Sequence, residues 1–356
     1  MTAAVPLPTD ALLASLRQAL RDARSPLADA PLALLGDKGL AHHHVRLVGS
    51  GLLARLPKQS QMGLDAAANL AYEAACYQRA AASGHVPRVE GSLPVSAALP
   101  RGGLLVEEIV GRTARLPDDL PAIAAAFAAI HGLPLPARSA RAPLIDAADP
   151  LAALRAEIDA QAAYLDAASL APAARSLIDA ARTQFAQLCE RAARPPKRLI
   201  AFDGHPGNFL VRPQDGRAVL VDLEKARYSH PPLDLAHATL YTSTTWDVDS
   251  RAELSVAEVV AFYERWQRAC DIGPALRPWF VPLRAAMWLW SVTWCAKWRV
   301  LSPRAAHAGA DGEDWSAEHS SDALVAHVRE RVDCYLGVEA VERVCAETEA
   351  LRRGLG

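Results

Sequence analysis

At 356 residues, about half of them apolar and 22% charged, the chain is too long for one hydrophobic core. It suits two packed lobes and is not of disordered composition. Thirty-eight Lys and Arg stand against 40 Asp and Glu, a balance that excludes the basic field of a nucleic-acid binder or an anionic-membrane binder. The six scattered cysteines include no C-x-x-C pair, which predicts reduced, buried thiols rather than a disulfide scaffold. The chain opens without a basic region followed by an apolar core, and nowhere do 18 uncharged apolar residues run together, so the expectation is a cytoplasmic protein.

In chain order, Leu12, Leu13, Leu16 and Leu20 share one helical stripe over 9–23, with Thr9 placed to cap it. A glycine-bearing loop at 36–41 precedes two strands, 44–48 and 52–56, which are joined at Gly49-Ser50-Gly51. The alanine-rich stretch 64–83 predicts a helix that carries Glu73 midway and stops at Gly84. Further strands are expected at 87–89 and 104–111, completing a small, mostly β lobe. Helices follow at 121–131, 151–167 and 173–193, with a break at Pro172. Pro195-Pro196 then ends helical structure before a short strand, 199–202, that runs into Asp203. Strands 209–211 and 218–221 flank Pro213-Gln214-Asp215-Gly216, a hairpin that folds Asp222 back beside Asp203. The remainder is helical in pattern, and 302–322 reads as its most mobile loop.

This arrangement meets the demands of phosphoryl transfer. A carboxylate must orient and deprotonate the attacking hydroxyl, and oxygen ligands must hold Mg²⁺ on the phosphates. In Asp203-Gly204-His205-Pro206-Gly207-Asn208, D-x-x-x-x-N spacing lets one tight loop aim an aspartate at the nucleophile and an asparagine at a metal. The hairpin returns Asp222 as a second metal ligand. His42-His43-His44 do not read as a metal cluster, because successive strand residues face opposite ways.

The Asp203–Asn208 loop and Asp222-Leu223-Glu224 resemble the aminoglycoside phosphotransferase and choline kinase family, whose loop reads close to H-G-D-x-H-P-G-N and whose metal segment reads close to I-D-F/W-E. The resemblance implies an α+β, two-lobed, protein-kinase-like fold: a small antiparallel β lobe over 1–111 that binds ATP, and a larger helical lobe over 112–356 with the catalytic loop and acceptor pocket. It implies Asp203 as catalytic base, Asn208 and Asp222 as Mg²⁺ ligands, and His205, Glu224 and Asp234 as supporting residues, Asp234 in the family's D-L-A position. Taken alone, Asp234 also reads as a helix N-cap. Upstream, the likeness implies nucleotide contacts from Lys38 and Gly39 in the loop, Arg55 with Glu73 as its ion-pair partner, and Glu107 and Ile109 in a lobe-connecting hinge. One departure stands out. Ala201-Phe202 replaces the usual His-Gly, so a histidine that braces the loop is missing.

All eight tryptophans fall in the last third of the chain, and Trp290, Trp294 and Trp298 share a helical face. Core packing accounts for such a face. An alternative is an acceptor pocket in which Trp246, Asp247, Trp290 and Trp294 receive an amine through cation–π contacts. The expected partners are therefore ATP and a small-molecule alcohol such as an aminoglycoside, a choline-like amino alcohol or a sugar, with no nucleic acid and no membrane, in a monomer or homodimer. Two other readings are a non-catalytic nucleotide-binding module, and a metal-dependent hydrolase built on Asp203, His205, Asp222, His230 and His237.

Overall fold

In the computed structural model, which describes residues 9–36, 41–302 and 322–355, the leucine stripe of α1 (Thr9–Asp22) lies buried against one face of an antiparallel sheet. The chain forms two units. The first holds the described residues up to 78, then 87–108, 301–302 and 322–329, and the second holds 79–86, 109–300 and 330–355. Lys38, Gly39, Trp315 and nearly all of the 302–322 segment lie outside the described residues, as does the Thr9 side chain.

The first unit contains β1 (Leu32–Leu34), β2 (His42–Leu47), β3 (Leu52–Pro57), most of α2 (Ala66–Ala80), β4 (Val89–Leu93) and β5 (Gly103–Glu107), with the strands in the order β1-β2-β3-β5-β4. Gly49 and Gly51, at φ 83° and 73°, supply the left-handed turn between β2 and β3. Strand periodicity then separates the two faces. Val45, Leu47, Ala54 and Leu56 join Leu12, Leu16 and Leu20 of α1 in the core, while Arg55 points the other way and lies over the Tyr77 ring of α2. The α-helix ends at Ala80, and a 3₁₀ turn over Ala81–Ser83 leads to Gly84, the predicted stop, at φ 68°.

The second unit contains β6 (Arg112–Thr113), α3 (Leu120–His131), α4 (Pro150–Ala162), α5 (Pro172–Glu190), β7 (Arg198–Ile200), β8 (Phe209–Val211), β9 (Ala218–Leu220) and β10 (Arg227–Ser229). It continues with α6 (Pro232–His237), α7 (Tyr241–Thr244), α8 (Val256–Ala269), α9 (Gly273–Leu276), α10 (Phe280–Leu301), the later part of α11 (Asp322–Tyr335) and α12 (Val338–Leu355). Pro172 opens α5 instead of merely interrupting a helix, since its missing N–H costs nothing in the first turn. Two predicted helices end early, α4 at Ala162 and α5 at Glu190. Helix α3 packs against α8, and α12 packs against both α5 and α8. The terminal nitrogens of fully buried Arg284 of α10 donate to the hydroxyl and carbonyl of Thr239 and to Glu347 of α12.

None of the six cysteines forms a disulfide. Cys76, Cys270 and Cys295 are buried, whereas Cys189, Cys334 and Cys345 are half-buried, unlike the uniform burial predicted. No described helix is long and apolar enough to cross a membrane.

Candidate active site

The site begins where β7 ends. Strands β8 and β9 pair antiparallel with Phe209 opposite Leu220, and the next rung, Val221 N–H to the Asn208 carbonyl at 2.9 Å, brings the chain at Asp222 back to the Asp203–Asn208 loop. Within the loop, Asn208 Nδ2 donates to the Asp203 carbonyl at 2.8 Å. With its nitrogen committed, the amide is oriented so that Oδ1 is its remaining acceptor, which is the atom a hard cation requires. Asp222 is half-buried and carries the complementary carboxylate. The oxygen donor set therefore fits Mg²⁺. Glycine is needed at 204, because a Cβ there would lie 2.5 Å from the Phe127 ring, and at 207, where it would lie 2.7 Å from Cβ of Asp247.

A second set of contacts holds the residues just before Asp203. Phe202 sits at φ 64°, a left-handed conformation that is strained for a side-chain-bearing residue. Asp234 does not cap its own helix. Its two carboxylate oxygens accept the N–H groups of Ala201 and Phe202, each at 2.7 Å. Asp234 also accepts from His131 Nε2 at 3.0 Å, and His131 Nδ1 in turn accepts the Trp266 indole N–H at 3.0 Å. Both nitrogens of this fully buried imidazole are thus used, and its ring stacks on Phe127 at 5.4 Å. The Phe202 ring is sandwiched. The Arg227 guanidinium lies 3.7 Å from its centroid, and Trp290 meets it edge-on at 5.1 Å. Glu157 ties the two together, accepting from Arg227 at 2.7 Å and from Trp290 Nε1 at 3.1 Å. Where the usual histidine is absent, the loop is braced through its backbone by an aspartate and by a buried aromatic.

Electrostatics at Asp203 are set by Lys225, whose Nζ donates to Oδ2 at 2.7 Å. Burial opposes ionisation of this carboxyl, but the adjacent ammonium outweighs it and holds the group well below the usual carboxylate range. On the other oxygen, His237 Nδ1 stands 3.6 Å away and donates to the Phe202 carbonyl at 3.2 Å. Burial pulls the His237 imidazole down to about 4. His205 lies beside it with ring centroids 6.0 Å apart, and its buried Nδ1 has no hydrogen-bond partner among the described residues. Lys225, Arg227, Glu157, His131 and Trp266 were not singled out from sequence. Lys225, immediately after Asp222-Leu223-Glu224, was the one with a legible signal.

The predicted tryptophans divide. The Trp290 face is approached by Lys225 Nζ at 5.7 Å, while Trp246 meets Trp294 at 6.0 Å and Tyr335 at 6.3 Å. Trp298 is buried. His230 donates from Nδ1 to the Pro196 carbonyl at 3.1 Å. Among the described residues, no three of Asp203, His205, Asp222, His230 and His237 bring ligand atoms within 4.8 Å of one another. The hydrolase reading lacks its cluster.

In the first unit, Arg55 and Glu73 are both buried and are joined through a histidine. His42 Nε2 donates to Glu73 at 2.9 Å, and Arg55 donates to His42 Nδ1 at 3.4 Å and to His44 Nε2 at 3.3 Å. Asn69 donates to the other Glu73 oxygen at 2.7 Å. Burial raises the Glu73 carboxyl, but His42 and Arg55 outweigh it and bring the group below its ordinary value. Glu107 ends β5 within ion-pair distance of Arg88, at 3.5 Å, and buried Ile109 is the first residue after the division between units.

A family model described as Phosphotransferase enzyme family (APH) matches residues 35–279, a span that includes the loop, the hairpin and Asp234. The chain belongs to that family. Among solved structures, this phosphotransferase-family chain is similar to a choline/ethanolamine kinase family protein from Mesorhizobium loti, with 20% identity, 95% of this chain and 99% of that one covered, and a TM-score of 0.57. It is also similar to a choline kinase from Streptococcus pneumoniae, at 14% identity, 90% and 99% coverage and a TM-score of 0.54. The GDP complex of aminoglycoside 2'-phosphotransferase-IIIa matches at 15% identity, 93% and 98% coverage and a TM-score of 0.57. No curated protein matches the sequence significantly. These likenesses give the fold: two lobes of α+β, protein-kinase-like.

Proposed function

We propose that this family member transfers the γ-phosphoryl group of ATP to a hydroxyl of a small molecule. The observation that supports the reading most is the pre-set loop, in which Asn208 is locked to the Asp203 carbonyl while the β8–β9 register returns Asp222 beside it. Asp203 orients the attacking hydroxyl and accepts its proton. Held well below the usual carboxylate range, it is a weak base, which suits a loose transition state in which the nucleophile keeps its proton until late. Asn208 Oδ1 and the Asp222 carboxylate would hold Mg²⁺, which when bound offsets charge on the phosphates. By family resemblance, Arg55, Glu73, Lys38, Gly39, Glu107 and Ile109 serve the nucleotide.

The acceptor class proposed is an aminoglycoside, a choline-like amino alcohol or a sugar. Trp246, Trp294 and Asp247 are offered as one wall of its pocket, since Asp247 abuts the loop at Gly207. Trp290 already engages Lys225, Phe202 and Glu157. Use of ATP as donor suits the cytoplasm. A nucleotide-consumption screen over those acceptor classes, run with ATP and with GTP, tests the proposal. Turnover with one acceptor supports it, and nucleotide binding without turnover on any of them points to a non-catalytic module.

A further inference from the structure

We infer that Lys225 is a catalytic cation of the transfer step, its ammonium passing from the Asp203 carboxylate to the phosphoryl group as that group moves to the acceptor. The inference rests on the phosphotransfer reading above. Lys225 is only 9% exposed, and a lysine is rarely buried to that degree unless its charge is used. Its partner is the carboxylate that the proposed mechanism places on the nucleophile, at 2.7 Å.

The pair is not what scaffolds the loop. Asp234 holds the two preceding amides, and Asn208 holds the Asp203 carbonyl. Lys225 adds a bond to the reacting carboxylate itself, and its ammonium also lies over the Trp290 ring at 5.7 Å, an indole whose N–H is anchored on Glu157. Asp203 would hydrogen-bond the acceptor hydroxyl at about 3 Å, with that oxygen about 3.5 Å from the phosphorus. Because the ammonium shares the same carboxylate, it lies about 5 Å from the incoming group, within the swing of a lysine side chain.

In the step, the acceptor oxygen forms its bond to the γ-phosphorus and the bond from that phosphorus to the β–γ bridging oxygen breaks. The nucleoside diphosphate leaves with the electron pair, and the hydroxyl proton passes to Asp203. Lys225 changes no bond. It neutralises charge on the phosphoryl oxygens, and as Asp203 becomes neutral on taking the proton, the ammonium is released toward them.

The test compares MgADP alone with MgADP plus aluminium fluoride, a planar mimic of the phosphoryl group in flight, by calorimetric titration of wild type, K225M and K225R. Wild type should bind MgADP more tightly when the fluoride is present. K225M should bind MgADP within about threefold of wild type yet lose about 10²–10³-fold of the mimic's affinity, with K225R in between. A merely structural lysine would not separate the two ligands. If K225M fails to fold, K225Q gives the same reading. A K225M or K225Q protein that binds the mimic as wild type does overturns the role of Lys225. A wild type that binds no MgADP overturns the phosphotransfer reading itself.

Discussion

Replacing Phe202 by alanine and by glycine separates the two demands made at that position. The ring is 1% exposed, capped by Arg227 and bordered by Trp290, so its removal in F202A should cost about 3–5 kcal/mol in lost burial and residual cavity. The backbone is a different matter. At φ 64° a residue with a Cβ carries about 1–2 kcal/mol of left-handed strain, which alanine retains and glycine relieves. Glycine gives back about 0.5–1 kcal/mol through its more flexible unfolded chain. F202G should therefore be more stable than F202A by roughly 0.5–1 kcal/mol. At buried Leu199 in β7, where the backbone is extended, the order should reverse, L199G falling below L199A by about the same amount. Urea denaturation of the four variants, followed by tryptophan fluorescence, measures both differences. If glycine is the worse residue at both positions, the left-handed strain at 202 is not what distinguishes it.

Three further outcomes are expected. D203N should keep MgADP affinity while turnover on the acceptor found by screening drops about 10²–10⁴-fold, and equal turnover would remove Asp203 from the base role. E347A strands the fully buried Arg284 guanidinium and should cost about 3–5 kcal/mol, much of which the charge-free pair R284M/E347L recovers. A loss under 1 kcal/mol in thermal and urea melts would contradict that account of Arg284. His230, buried with its Nδ1–H on the Pro196 carbonyl, is pulled from 6.5 to about 4 by burial. Between those values the unfolded chain takes up a proton that the folded chain refuses, so stability falls as pH drops through the window. The cost at pH 5 is up to about 2 kcal/mol, and H230N should lose that share of the difference between pH 7.5 and 5.

What was legible in the sequence was whatever depends on local spacing. The stripe of α1 and the β8–β9 hairpin needed only periodicity and turn chemistry, and D-x-x-x-x-N with a returning aspartate outlined the loop. β10 escaped because it is three residues long and exists by pairing with β7, far back in the chain, a tertiary effect that no short window contains; β1, equally short, lacks the alternation that would mark a strand. Arg55 and Glu73 were foreseen as partners, but the histidine between them was not, since His42 reads as one of three adjacent histidines until the strand register is known. Lys225 was not singled out: its place directly after Asp222-Leu223-Glu224 put it near the site, but nothing in the order of residues says that its ammonium meets the Asp203 carboxylate. Phe202 looked like a defect in the pattern. Its strain and the groups that compensate for it come from five separate segments of the chain.

The grip of Asp234 on Ala201 and Phe202 is taken entirely on peptide N–H groups, and such a grip is indifferent to side-chain identity. Any residue except proline presents the same handle. The side chains at these two positions can therefore change together with the neighbours that fill the space around them, provided the aspartate 31 residues after Asp203 is kept. A chain with alanine and phenylalanine at these positions can thus keep the Asp203 loop in place, with the space around the Phe202 ring filled by Arg227 and Trp290, which Glu157 ties together.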